Sequence, residues 1–152
     1  MRIGMIGAGS WGTALALVLH ENGHQVRCWT IDEESLMDIR NNHENSRYLP
    51  GIKIPAEIIF TSDLKLIVED PDVIVNAVPT QVTRSALSLV KEIFTDQGQL
   101  WVSVSKGIEN KTYKRISKER DELLLNQKYW GKVGAFEGSG YSSTGLYRPY
   151  LD

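Results

Sequence analysis

Three closely spaced glycines near the N-terminus constrain the fold of this chain more than any other feature. Residues 7–12 read Gly-Ala-Gly-Ser-Trp-Gly; an apolar run at residues 1–6 precedes them, and residues 11–21, with apolar side chains at helical spacing, follow. An apolar strand, a glycine turn and a helix in this order are typical of the phosphate-binding turn of parallel α/β sheets. The pattern therefore predicts a parallel sheet whose first turn binds a dinucleotide.

Each glycine has a predicted role in that turn. Gly7 allows the tight turn, Gly9 lets the backbone approach a pyrophosphate, and Gly12 lets the helix pack closely on the strand. The free N–H groups and positive dipole end of the helix then face the phosphates. The alternative is a glycine turn that serves packing alone. Trp11 has two interpretations as well, because it could cover the cofactor or lie in the core at the start of the helix.

The remainder of the chain alternates strands with helices. Apolar runs predict strands at residues 25–30, 73–78 and 99–103, and helical patterns predict helices at residues 32–42, 62–69, 81–94 and 112–125, with a loop at 44–55. This alternation predicts a Rossmann-type, doubly wound α/β fold with helices on both faces of the sheet and a strand order beginning 3-2-1-4. The predicted core contains Ile3, Ile6, Leu15, Val26, Val73, Val75 and Val102.

The dinucleotide-binding domain is predicted to occupy residues 1–130 and to be incomplete. Residues 131–152 are rich in glycine and tyrosine and poor in aliphatic side chains, so we expect an irregular or disordered tail. A partner-binding aromatic segment is the less favoured alternative for these residues.

Charge and cysteine content argue against several classes of function. The formal net charge of -2 offers no basic surface for nucleic acid, and no Cys/His cluster suggests a metal site. Cys28 is the one cysteine, so an internal disulfide is excluded and a small buried side chain is expected. No run approaches the roughly 18 apolar residues of a membrane span. A cytoplasmic protein is therefore expected.

The end of the second predicted strand is where such a sheet reads the adenine ribose of its cofactor. An acidic residue there suits the 2′-hydroxyl of NAD, whereas a basic residue suits the 2′-phosphate of NADP. Residues 29–34 read Trp-Thr-Ile-Asp-Glu-Glu, and no Lys or Arg occurs between Arg27 and Arg40. NAD is therefore predicted in preference to NADP. Asp32 could equally serve as a helix cap.

Several further segments make the resemblance specific. The chain resembles the NAD(P)-dependent glycerol-3-phosphate dehydrogenases over about residues 1–118. The segments that carry the resemblance are Gly-Ala-Gly-Ser-Trp-Gly-Thr-Ala-Leu-Ala at 7–16, Asn-His-Glu-Asn-Ser-Arg-Tyr-Leu-Pro-Gly at 42–51, Ile-Lys-Ile-Pro at 52–55, Val-Pro-Thr-Gln at 78–81 and Ser-Lys-Gly-Ile-Glu at 105–109. The glycine motif alone is shared by many dehydrogenases, whereas the Tyr-Leu-Pro-Gly and Lys-Gly-Ile-Glu segments together are much narrower.

The resemblance implies an oxidoreductase of glycerophospholipid metabolism that interconverts sn-glycerol 3-phosphate and dihydroxyacetone phosphate. It further implies that Ser10 and Trp11 contact the cofactor, that Ile31 lies by the adenine, and that Val82 lies on the nicotinamide side. Lys106 matches a lysine that touches both cofactor and substrate. Without the resemblance, Lys106 would be interpreted as a solvated side chain before a glycine turn.

The motif match stops after residue 118. The resemblance implies that the family continues with a helical domain bearing its catalytic lysine and most of its substrate-phosphate contacts, so no residue of this chain is assigned as catalytic. A frameshift or a truncated reading frame is our hypothesis for this difference, and the chain alone is expected to be inactive. Two alternatives remain: a non-catalytic NAD-binding module, or another two-domain Rossmann hydroxy-acid or keto-acid dehydrogenase. No oligomeric state is predicted.

Overall fold

The computed structural model describes residues 1–95, 97–105, 107–114, 118 and 122–124. Strands and helices alternate along this part of the chain, as the sequence predicts. In chain order they are β1 (Arg2–Ile6), α1 (Ser10–Glu21), β2 (Gln25–Trp29), α2 (Glu33–Asn42), β3 (Glu44–Asn45), β4 (Leu49–Lys53), β5 (Ile59–Thr61), α3 (Lys65–Val68), β6 (Val73–Asn76), α4 (Thr80–Lys91) and β7 (Leu100–Ser103).

Five of these strands form one parallel sheet in the order β5-β2-β1-β6-β7. Counted along the chain, the parallel strands therefore run 3-2-1-4-5, which confirms the predicted doubly wound order. The third of them, β5, was not predicted, because it has only three residues and its Ile59 is exposed. The order reverses between β1 and β6, and a crevice at such a reversal is where doubly wound sheets bind their ligands.

The two faces of the sheet bury different halves of the core, because successive side chains of a strand point to opposite faces. One face packs against α1 and α2, and the other packs against α3 and α4. The first cluster includes Ile3, Met5, Ala16, Val26, Cys28, Leu36, Ile39 and Val75; the second includes Ile6, Ile67, Val68, Ile74, Ala86, Leu87 and Val90. Burial of one such aliphatic side chain is worth about 1.5–3 kcal/mol, so these clusters dominate the stability of the fold.

The predicted core agrees with this arrangement at every position, although not to the same depth. Ile3, Ile6, Val26 and Val75 are buried. Three others are half-buried and pack against the first cluster: Leu15, Val73 and Val102. Cys28 is fully buried, as expected, and burial raises the pKa of its thiol far above the usual range.

The predicted loop at residues 44–55 is wrong, because β3 and β4 pair there as a short antiparallel hairpin. Glu44 faces Lys53 and Asn45 faces Leu49 in its register. No residue of β4 is buried, so the segment lacks the alternation of apolar and polar side chains that marks a half-buried strand. The Pro50-Gly51 pair, which suggested a loop, lies within β4. In a two-stranded hairpin β4 is an edge strand, and edge strands tolerate proline.

Two predicted helices also differ from the structure. The helix predicted at 62–69 is a single turn, α3, since the Asp63 carboxylate accepts the N–H of Lys65 and delays its start. The helix predicted at 112–125 does not begin at Thr112, because a turn ends there and Tyr113 has a positive φ of 57°. The predicted tail at 131–152 lies outside the described residues, and its irregularity stays a prediction.

Candidate cofactor site

The turn between β1 and α1 requires glycine at two of its three motif positions for reasons of packing. Gly7 has a φ of 111°, and a Cβ there would lie 2.9 Å from the backbone nitrogen of Val78. A Cβ on Gly12 would lie 2.2 Å from the carbonyl oxygen of Gly7. Both substitutions would force backbone atoms apart, so these glycines let the first turn of α1 lie directly on the strand ends.

Gly9 differs from its two neighbours in the motif. Its φ of -72° is open to any residue, and a Cβ there would meet nothing within 4 Å. Neither backbone conformation nor packing within the described chain calls for glycine at this position. Gly9 is also the N-cap of α1, and no side chain in the described part of the chain caps that helix end. The uncapped amides and the open space beside Gly9 are together suited to an anionic group, as predicted for a pyrophosphate.

Exposed apolar side chains follow the carboxyl ends of the parallel strands. Trp11, after β1, is 61% exposed, so it lies outside the core, and Ser10 is exposed beside it. Ile31, after β2, is 73% exposed, and Val82, in the first turn of α4, is 45% exposed. Each of these positions was predicted to contact the cofactor. Their exposure leaves flat apolar surface for rings to cover at this edge of the sheet.

Asp32 caps α2 at the end of β2. Its carboxylate accepts the N–H of Ser35 at 3.3 Å and the hydroxyl of Ser35 at 3.0 Å. Partial burial alone would raise the pKa of Asp32, but the hydrogen bonds from Ser35 and Tyr48 and the charge of Arg47 together hold that pKa below its usual value. Asp32 is therefore ionised at neutral pH and is held rigidly where the ribose is expected.

Arg47 lies next to Asp32 although it is 15 residues away along the chain. Its Nη1 lies 3.1 Å from Asp32 Oδ2 and 3.4 Å from Glu34 Oε2, and its guanidinium lies 5.5 Å from the ring centre of Tyr48. The prediction of NAD rests on the absence of a basic residue at positions 28–39. The hairpin brings a cation to the same place, and this cation was missed because nothing in the local pattern indicates it.

Asn45 of β3 is a fully buried polar residue that bonds to the glycine turn. Its Nδ2 donates to the carbonyl oxygen of Ala8 and to Oγ1 of Thr13, both at 3.0 Å. Thr13 Oγ1 in turn donates to the same Ala8 oxygen at 3.1 Å. Sequence reasoning missed this contact, and the one available signal was the position of Asn45 within the His-Glu-Asn segment of the resemblance.

Asn76, the last residue of β6, supplies a second buried polar contact at the reversal of strand order. Its Nδ2 lies 3.3 Å from the hydroxyl oxygens of Thr83 and Ser105, and Ser105 donates to the carbonyl oxygen of Val78 at 2.6 Å. These bonds hold the strand ends of β6 and β7 against the start of α4. The sequence signal for Asn76 was a polar residue that ends an otherwise apolar strand.

The segment after β7 is held against α4 by an ion pair. Arg84 binds Glu109 through two bonds of 2.6 and 2.8 Å, and Thr112 donates to the same carboxylate. The bond from Arg84 is the main cause that lowers the pKa of Glu109 to about 2. Gln81 adds bonds of 3.0 Å to the Ile108 carbonyl and the Asn110 N–H. Lys106, the predicted cofactor and substrate contact, lies outside the described residues.

None of the described residues forms a group of His, Cys, Asp and Glu side chains that could hold a metal ion. Within the same residues, no helix has the length and apolar character that a membrane crossing requires. The candidate site at the carboxyl edge of the sheet consists of backbone amides, exposed apolar side chains, the Asp32 carboxylate and the neighbouring Arg47 guanidinium.

Comparison with known proteins agrees with this geometry. A family model described as the N-terminus of NAD-dependent glycerol-3-phosphate dehydrogenase matches residues 2–142, beyond the end of the motif resemblance at residue 118. A glycerol-3-phosphate dehydrogenase [NAD(P)+] of Bacillus cereus (strain B4264) is 47% identical over 123 residues, which cover 81% of this chain and 36% of the relative. The chain thus spans about a third of the length of that relative.

Solved structures give the same result. The glycerol-3-phosphate dehydrogenase of Saccharomyces cerevisiae superimposes with a TM-score of 0.74 at 31% identity, covering 89% of this chain and 41% of that one. The enzyme of Coxiella burnetii superimposes with a TM-score of 0.74 at 28% identity, covering 81% of this chain and 37% of that one. The predicted fold class and the predicted resemblance are therefore both confirmed.

Proposed function

Because this chain belongs to the family of NAD-dependent glycerol-3-phosphate dehydrogenases, we propose that it forms the cofactor-binding unit of an oxidoreductase. The proposed reaction interconverts sn-glycerol 3-phosphate and dihydroxyacetone phosphate. The observation that carries the proposal is Gly9, where neither the backbone nor packing against the described residues requires glycine, beside a helix end that none of their side chains caps. The membership argues against the alternative of another hydroxy-acid dehydrogenase.

The residues at the carboxyl edge of the sheet fit a dinucleotide that binds in one orientation. The pyrophosphate would lie against the amides of the first turn of α1, beside Gly9 and Ser10. The adenosine would lie at the end of β2, with Asp32 toward the ribose and Ile31 toward the adenine. Trp11 and Val82 would then cover the remainder of the cofactor, with Val82 on the nicotinamide side.

NAD is the proposed cofactor in preference to NADP. The carboxylates of Asp32 and Glu34 would repel a 2′-phosphate, whereas Asp32 can accept a bond from a 2′-hydroxyl. The family to which the chain belongs is NAD-dependent, which supports NAD over NADP. Arg47 moderates the preference, because its guanidinium offsets part of the negative charge at this place.

The bound cofactor supplies the hydride chemistry, and the protein supplies position and charge. The chain's contribution is to orient the cofactor across the strand-order reversal and to exclude alternative poses through the exposed apolar side chains. Lys106 is proposed to polarise the substrate oxygen, since an ammonium there would stabilise negative charge on that oxygen. A cytoplasmic location belongs to the same proposal, because the buried free thiol of Cys28 suits a reducing compartment.

The proposal is tested by titrating the purified chain with NADH and then following NADH oxidation with dihydroxyacetone phosphate. We expect saturable NADH binding but turnover near background. General acid–base assistance is typically worth about 10²–10⁴ in rate, and none of the described residues is assigned that role. Robust turnover that disappears in a Lys106→Ala variant would show instead that this chain completes a catalytic site on its own.

Gly9→Leu tests where the cofactor binds. The side chain enters open space, so we expect a stable fold but NADH binding weakened by more than about tenfold through a clash with the pyrophosphate. Glu21→Leu, which adds the same side chain at the exposed far end of α1, is the control. Equal NADH affinity in the two variants would place the cofactor elsewhere.

A further inference from the structure

We propose that Asn45 is a positioning residue for the cofactor's pyrophosphate, acting through the peptide that joins Ala8 to Gly9. This inference rests on the proposed function, since it assigns a role within the same site. Asn45 is fully buried and comes from the hairpin, 37 residues away from Ala8 along the chain. Its side chain reaches the glycine turn and no ligand-facing surface, so its effect on the cofactor would be indirect.

The chemistry of the three groups defines which atom of the Asn45 amide faces the turn. A backbone carbonyl can only accept hydrogen bonds, so the group of Asn45 that faces Ala8 must be the NH₂. The Thr13 hydroxyl donates its single proton to the same carbonyl, so its oxygen can only accept a hydrogen bond from Asn45. Ala8 therefore receives two independent donors, and all three bonds are mutually consistent.

These bonds determine where the next amide points. In a trans peptide the C=O and the following N–H lie in one plane and point in opposite directions. The Ala8 carbonyl is drawn toward the buried side chains of Thr13 and Asn45. The N–H of Gly9, in the same peptide, consequently points away from these two buried side chains.

Glycine at position 9 makes such an anchor necessary. A peptide can reverse by rotating ψ of one residue and φ of the next, and glycine permits φ values that other residues avoid. The reversed peptide would present the Ala8 oxygen to the pyrophosphate, and two negative groups would then face each other. The residue that leaves room for the ligand thus also loosens the peptide, and Asn45 and Thr13 restrain it.

The other end of the Asn45 amide supports a positioning role over a purely structural one. Its Oδ1 is buried and finds no hydrogen-bond partner among the residues that the structure describes. An unsatisfied buried acceptor lowers stability, and an apolar side chain of similar shape would avoid that cost. The amide is explained by what its Nδ2 does at Ala8.

The test compares a ligand that contains the pyrophosphate with one that lacks it. We expect Asn45→Leu to weaken binding of NADH and ADP-ribose by about tenfold or more, the range for losing a hydrogen bond that orients a donor to a charged group. Binding of adenosine, followed by NMR titration, should change by less than about twofold, because adenosine does not reach the turn. Equal losses for ADP-ribose and adenosine would overturn the proposal.

Thr13 provides a second test that keeps Asn45 in place, in case Asn45→Leu does not fold. Thr13→Val removes the other donor to Ala8 and should cause the same selective loss of ADP-ribose binding, whereas Thr13→Ser keeps the hydroxyl and should restore it. The combined Asn45→Leu and Thr13→Val variant should lose more than the product of the two single losses, because in each single variant the remaining donor still restrains the Ala8 carbonyl. Fully independent effects would contradict the shared role.

Ile67→Val is the matched control for lost stability. Ile67 is buried in α3, outside the glycine turn, and loss of one methyl group should lower the melting temperature without a change in either affinity. Losses of affinity that follow melting temperature across all variants would reduce Asn45 to a structural residue. Failure of the unsubstituted chain to bind NADH would overturn the proposed function itself, which is a distinct result from normal binding that is insensitive to Asn45.

Discussion

The glycine turn after β1 and the hairpin of β3 and β4 meet at one edge of the sheet but contribute to it in opposite ways. The turn offers backbone: Gly9 leaves space open where a Cβ would lie among the described residues, and Gly7 and Gly12 remove side chains that would prevent close packing. The hairpin offers side chains, with Asn45 against the turn and Arg47 against Asp32. On the proposed function, a backbone site for a phosphate would depend on side chains supplied from elsewhere to orient its peptides.

The largest expected effect separates the two kinds of glycine within the turn. Gly12→Ala places a Cβ 2.2 Å from the Gly7 carbonyl, so we expect it to destabilise the chain by about 1–3 kcal/mol or more, as overpacking does. Gly9→Ala meets nothing within 4 Å and should change stability by less than about 1 kcal/mol. Thermal unfolding of both variants measures the difference. Similar losses of stability would mean that packing explains all three glycines.

A smaller effect is expected at Arg47, where the hairpin contributes charge to the cofactor site. Arg47→Ala leaves Asp32 and Glu34 without their cation, so we expect NADPH binding to weaken by about tenfold relative to NADH binding. Arg47→Lys keeps the positive charge, so the ratio of NADPH affinity to NADH affinity should change little. Fluorescence titrations with both reduced cofactors at one salt concentration measure it. An unchanged ratio in Arg47→Ala would show that Arg47 does not reach the 2′-position.

The smallest effect concerns pH and distinguishes how the two regions are held. Asp38 accepts the N–H and hydroxyl of Ser46 and the amide of Asn42, and these bonds, that of Asn42 first, lower its pKa from 3.8 to about 2. A lowered pKa stabilises the folded state above the unfolded value and ceases to do so as the pH falls through the folded value. We therefore expect the hairpin to loosen between about pH 4 and pH 2.

The glycine turn is anchored by the neutral side chains of Asn45 and Thr13, and no carboxylate among the described residues bonds to it in the way that Asp38 bonds to Ser46. Amide hydrogen exchange on lowering the pH should consequently increase at Ser46 before it increases at Gly7 and Thr13 of the glycine turn, whose amides donate to backbone carbonyls. Asp38→Asn is the control, since it removes the titrating group and should flatten the pH dependence at Ser46. Simultaneous loss of protection in both regions, with the variant unchanged, would contradict the difference between them.

Much of the fold could be predicted from the sequence because its causes are local. Each apolar run or helical pattern that was recognised extends over a short stretch of consecutive residues, as in β1, β2, β6, β7, α1 and α4. The elements that were missed lack such a pattern. β5 has three residues, and β4 has no buried side chain, so burial could not be inferred from alternation.

The candidate site divides along the same line. Five of the predicted site residues belong to one short motif, and the structure places them together at the turn: Gly7, Gly9, Ser10, Trp11 and Gly12. Ile31 and Asp32 follow β2 directly, so their place at the carboxyl edge is a consequence of the parallel order. Their contacts with the cofactor remain predictions, as does the contact of Val82.

The sequence by itself determined the parallel α/β fold, the glycine turn and its position at the strand-order reversal, because hydrophobic periodicity and glycine stereochemistry act over short distances along the chain. Only the tertiary structure decided that Asn45 bonds to Ala8, 37 residues away, and that Arg47 pairs with Asp32, 15 residues away. Such contacts follow no periodicity in the sequence and no local secondary-structure propensity. They form because the packed sheet brings separate segments to one edge, where buried donors and charged groups must find partners.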